Sequence, residues 1–168
     1  MAQTSGAISG VIARVEICFD LSSSANWKDI SGAMQSVQST DQTRNTGEGY
    51  TLDGDTAIVT AGKRQPIELE FNLVYSESST EAFEVARSGF EATANGSVVY
   101  VRWIPAGGSA GANFLFRTPV TGSPAVMSGF RYPPVDASAA GPVMGSFKVK
   151  TPSVQKTSAN NTAGGSGT

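Results

Sequence analysis

RQPIELEFNLVYSESS, residues 64–79, alternates apolar and polar residues with the period of a β-strand. Ile67, Leu69, Phe71, Leu73 and Tyr75 fall on one face, while Glu68, Glu70 and Asn72 fall on the other. One face is thereby assigned to a core and the other to polar surroundings. Same-face neighbours on a strand stand about 6.5–7 Å apart, near the lower edge of the roughly 6.5–9.5 Å used by inverting glycosidases. A working pair also needs a cleft that raises the pKa of one carboxyl, and no aromatic platform accompanies these positions. A polar wall is the better reading of Glu68 and Glu70.

The composition removes most catalytic classes. The 168 residues fit one domain, and they include no histidine and a single cysteine. Ser-His-Asp and Cys-His nucleophiles, histidine or multi-thiolate zinc sites and an internal disulfide framework are therefore all excluded. No catalytic, cofactor-binding or metal site is expected. Twelve Lys and Arg balance fourteen Asp and Glu, with no block of like charge to mark a nucleic-acid arm. Charged residues make up only 15% of the chain. A surface of Ser, Thr, Gly and Ala loses little side-chain entropy on association, which suits extensive self-assembly. MAQTSGAISG does not start as a signal peptide, and no segment reaches the roughly 20 apolar residues of a membrane span. The expectation is a soluble chain without a cleaved export signal and without a membrane partner.

The remaining stretches extend a mostly β pattern. VIARVEICFD (11–20) sets Val11, Ala13, Val15, Ile17 and Phe19 against Ile12, Arg14, Glu16, Cys18 and Asp20, a strand with one wet face on which Cys18 is a bystander thiol. NWKDISGAMQSVQ (26–38) is a weaker strand. Residues 39–54, STDQTRNTGEGYTLDG, read as a long interacting loop. TAIVTAG (56–62) is a strand before the opening one, and about residues 79–94 form one helix. Ser78 and Glu81 make its capping box, Asn95-Gly96 its stop, and Phe83, Ala86, Phe90 and Ala94 its apolar stripe. VVYVRWIP (98–105) and NFLFRT (113–118) follow as strands, with GGSAG (107–111) a turn and not a phosphate loop. PAVMSGFRYP (124–133) and GPVMGSFKVK (141–150) match at an offset of 17 and read as successive antiparallel strands. The first residues form a mobile arm, and 155–168 a flexible Gly/Ser/Thr-rich tail after a single domain, 1–154. The sequon matches at 95–97 and 160–162 carry no weight without an export signal. Trp27, Tyr50, Trp103 and Tyr132 would suit a carbohydrate-binding β-sandwich only if folding brought them together.

The order of these elements resembles the tail tube (major tail) proteins of long-tailed bacteriophages. The resemblance rests on NWKDISG, the Gly-rich insert before TAIVTAGKRQPIELEFNLVYS, the helix STEAFEVARSGFEA, the strand VVYVRWIP and the closing GPVMGSFKVKTPSV. It implies a mainly β, sandwich- or barrel-like fold with one packed helix, and a non-enzymatic virion protein made in the bacterial host cytoplasm. It further implies homo-hexameric rings stacked into a tube around a tape-measure protein, through which phage DNA leaves. Residues 39–54 would then bridge rings through Arg44, Asn45, Glu48, Tyr50 and Asp53. Glu68 and Glu70 would face the lumen, where carboxylates repel phosphate. A tail terminator or tube initiator of the same fold is the neighbouring alternative.

Overall fold

The computed structural model describes residues 13–23, 26–92, 98–107, 114–136 and 140–158. Its strands are β1 (Arg14–Cys18), β2 (Lys28–Asp29), β3 (Met34–Ser39), β4 (Arg44–Gly49), β5 (Ile58–Arg64), β6 (Ile67–Val74), β7 (Val98–Ile104), β8 (Phe114–Arg117), β9 (Ala125–Arg131), β10 (Met144–Thr151) and β11 (Gln155–Ser158). One helix, α1 (Ala82–Glu91), lies between β6 and β7. The fold is mainly β with a single α-helix among the described residues, as the alternation predicts.

Nine strands form one antiparallel sheet in the order β11-β8-β7-β9-β10-β6-β3, with β1 on β7 and β2 on β1. Strand β7 joins two halves: Val98 and Val99 pair with β9, whereas its later residues pair with β1 and β8. Both halves contribute to one core. From β6 come Ile67, Leu69, Phe71 and Leu73, the apolar face of the opening stretch, and each is buried. Val15 and Ile17 of β1, Val99 and Val101 of β7, Met127 of β9 and Phe147 and Val149 of β10 complete it. Phe71 and Phe147 sit opposite each other in register and stack at 4.7 Å between centroids. The two look-alike stretches are neighbouring antiparallel strands, β9 and β10.

Helix α1 seals this core with Ala82, Phe83 and Ala86. It is shorter than expected and starts differently. Glu81 is itself the N-cap and makes no side-chain capping bond, while Ser78 shares a hydrogen bond with Thr80. The capping box fails because Glu81 stands at the helix boundary and not three residues inside it. Phe90 is partly exposed at the margin of the helix and stacks on Phe130 of β9, 5.9 Å between ring centroids. Gly89 must be glycine: an added Cβ would lie 2.0 Å from the Phe19 ring. Ala94, the Asn95-Gly96 stop, both sequons, the N-terminal arm through Ile12 and most of GGSAG lie outside the described residues.

Three other expectations are corrected. Residues 39–54 are not loop throughout: Arg44–Gly49 is strand β4, which pairs with β5 as a separate two-stranded ribbon in which Glu48 faces Val59 and Gly49 faces Ile58. The tail expected from 155 begins as a strand, since Gln155–Ser158 pairs with β8 and carries the ordered domain past 154. The second face of β1 is not wet, because Glu16 and Cys18 are buried. Burial raises the Cys18 thiol pKa above its ordinary value, and its Sγ donates to the Asp20 carbonyl oxygen at 3.0 Å. The thiol is a packed core group and not a bystander on an open face.

Candidate assembly surfaces

Two surfaces are left uncovered by this architecture. The first is the polar face of the half-sheet β3-β6-β10-β9. Because β6 is central in that half and its other face is core, Glu68, Glu70 and Asn72 must project to the opposite side. Register places Glu68 opposite Lys150 and Glu70 opposite Lys148, with Gln38 of β3 on the far side of Glu70. Lys148 Nζ lies 3.1 Å from Glu68 Oε1 and 3.8 Å from Glu70 Oε2. The hydrogen bond to Glu68, reinforced by both carboxylate charges, raises the lysine pKa. The next row along β6 runs Ser36, Asn72, Ser146 and Arg131: Asn72 Nδ2 donates to Ser36 Oγ at 3.1 Å, and Arg131 at its β9 end is exposed.

This geometry answers what the two glutamates are for. They do not form an isolated carboxyl pair, because the Lys148 ammonium lies between them. They are also not a free acidic wall. Lys150 and Lys148 stand directly opposite the two acids, and with Arg131 exposed in the next row the face is not acidic, so the repulsion expected from the sequence does not arise. The pairs are more than a third exposed, so solvent screens them and they contribute little to stability.

The second surface is the ribbon β4–β5. Every residue of both strands is exposed. Arg44, Asn45 and Glu48 lie on β4, with Tyr50 and Asp53 in the connection beyond it, so the structure gathers all five predicted bridging residues on one projection. Its base is pinned by Gln65 N donating to Thr43 O at 2.9 Å and by Gln65 Nε2 donating to Asn45 Oδ1 at 2.5 Å. Tyr50, Leu52, Ile58 and Val59 expose large apolar surfaces along it.

The four candidate sugar-stacking aromatics are dispersed. Trp27 lies under the Arg102 guanidinium, 4.1 Å from centroid to Cζ, and Trp103 stacks on Phe116 at 5.8 Å. Tyr132 joins Phe130 and donates to Glu91 Oε1 at 3.1 Å, while Tyr50 is on the ribbon. No platform results.

Sequence reasoning missed one buried charge cluster. Glu16, with its side chain 8% exposed, bonds Arg14 at 2.8 Å and also pairs with Arg102, whose side chain is 15% exposed. Glu16 and Arg102 are cross-strand partners on β1 and β7, 86 residues apart in sequence. Only the pairing of those strands could have revealed it. Among the described residues no group of His, Cys, Asp and Glu is placed to hold a metal ion. No helix there is long and apolar enough to cross a membrane.

No family model and no curated protein matches the sequence. Solved structures do match in shape. A chain of the sheath–tube complex of an extracellular contractile injection system (PVC, extended state) superposes with a TM-score of 0.67 at 14% identity, over 92% of this chain and 93% of that one. A chain of the anti-feeding prophage cap, described as a tube-terminating cap, gives 0.69 at 12% identity over 95% and 96%. A chain of the tail of an empty gene transfer agent particle, refined with six-fold symmetry, gives 0.60 at 15% identity over 90% and 100%. These matches span nearly the whole of each chain, and the protein therefore has the tail-tube fold seen in chains of such tube, cap and tail assemblies.

Proposed function

We propose that this chain is a structural subunit of a tail tube, closing in six copies into a ring and stacking ring upon ring into a conduit of the virion tail. The observation that carries the reading is the half-sheet β3-β6-β10-β9, with one face in the core and the other uncovered, polar and internally charge-paired. A conduit wall must neither bind nor stall what passes. Lys148, already paired with Glu68 and Glu70, releases few counterions to a phosphate backbone, so a lumen lined by Glu68, Glu70, Lys148 and Lys150 would grip DNA only weakly and would accommodate a tape-measure protein. The ribbon, carrying Arg44, Asn45, Glu48, Tyr50 and Asp53, reaches from one ring to the next. The chain is a building block, made in the host cytoplasm, with no catalytic role.

Sedimentation velocity and negative-stain microscopy across concentration and salt test the assembly. Rings with six-fold symmetry that lengthen into tubes are expected. A species that stays monomeric under all conditions overturns the proposal. A second reading, tube terminator, is favoured by the match to the terminating cap and by a chain of a sheath/tube terminator at a TM-score of 0.68. It predicts single rings that never lengthen.

A further inference from the structure

The ribbon β4–β5 is electrically polarised along its length. Its outer part carries Glu48, Asp53 and Asp55, and no lysine or arginine occurs between Arg44 and Lys63. Its base carries Arg44, Lys63 and Arg64 and no acid. All six side chains are exposed, and among the described residues none of them enters an ion pair. Arg44 and Arg64 are moreover direct cross-strand partners. Like charges placed directly opposite destabilise a strand pair, and a two-stranded ribbon standing alone is marginal in water. Arg44 Nη1 donates to the Gly62 carbonyl oxygen at 3.2 Å, but among the described residues no carboxylate pairs with either guanidinium of the base.

Beside that base lies a groove of about 340 Å³ with an apolar floor of Ile67, Leu69, Trp103, Phe116 and Val154 and a polar rim, Ser39–Gln42, on which Asp41 is the one acid. The acidic end bears the matching apolar groups, Tyr50 and Leu52, with Leu52 fully exposed. We infer that the acidic, apolar tip of the ribbon in one copy docks on the basic base and adjoining groove of the ribbon in a second copy. The carboxylates of the tip then separate the facing guanidiniums while Tyr50 and Leu52 enter the groove. Tip and base are about 20 Å apart at roughly 3.4 Å per residue. Such a contact between different patches, repeated from ring to ring along the axis, builds an open stack wherever its rotation does not close a ring. The inference rests on the tube reading and assigns the surface that receives the bridging ribbon.

The test uses the full chain in two half-reversed forms and one doubly reversed form. The tip form carries Glu48→Lys, Asp53→Lys and Asp55→Lys; the base form carries Arg44→Glu, Lys63→Glu and Arg64→Glu. Exposed ribbon positions tolerate such changes, and circular dichroism verifies the fold. At low salt each half-reversed form alone should lose at least ten-fold in polymer mass relative to the unmodified chain. Mixed in equal amounts they should co-assemble, because each tip again meets a base of opposite sign. The doubly reversed form should polymerise by itself. Damage to folding cannot produce this rescue. Unmodified tubes with no rescue, or half-reversed forms that polymerise normally, overturn the docking while leaving the tube reading in place. An unmodified chain that never assembles overturns both.

Discussion

Truncating Phe147 to alanine lowers the unfolding free energy by about 3–5 kcal/mol, a large share of the roughly 5–15 kcal/mol that holds an ordinary domain folded. Phe147 is 0% exposed and stacks on Phe71 at 4.7 Å with the rings 8° from parallel. Both rings lie on adjoining central strands, where the backbone is held on two sides and cannot collapse into the space left behind. The lost transfer energy and the cavity therefore add. Urea unfolding followed by tryptophan fluorescence should show a lower midpoint at unchanged slope. A loss under 1 kcal/mol would mean that the core is not organised around this pair.

Replacing Glu16 by alanine should cost about 3 kcal/mol. The reason is less the lost pair than what remains: Arg102, at 15% side-chain exposure, keeps its charge with Trp27 against it and no carboxylate beside it. The helix pair Glu84–Arg87 is the internal control. Its N–O distance is 2.7 Å, but the side chains are 28% and 36% exposed. Glu84→Ala should therefore stay within about 0.5 kcal/mol. Equal losses in parallel urea melts would show that the β1–β7 cluster is solvated.

The opening stretch declared its strand because one face is buried and the other is not, so a period of two is written into residues 67–74. The ribbon was illegible for the opposite reason. RNTGEG has no apolar residue and both its faces meet solvent, so no period distinguishes it from a loop. Glu16 and Cys18 were misread because β1 has both faces covered, and a polar residue on a strand then mimics a wet face. QKTS at 155–158 has the composition of a tail and becomes a strand only because the edge of β8 is open to it. On the candidate wall, the sequence identified Glu68 and Glu70, and the cross-strand register is what sets Lys148 and Lys150 opposite them.

The account turns on which face of the half-sheet β3-β6-β10-β9 borders the channel, and a helical reconstruction of assembled protein at side-chain resolution by electron cryomicroscopy decides it. The expected map shows six subunits per ring with Glu68, Glu70, Lys148 and Lys150 lining a continuous central bore and the ribbon spanning to the adjacent ring. A map that places these four side chains on the outer surface, or shows an assembly with no bore, would contradict it.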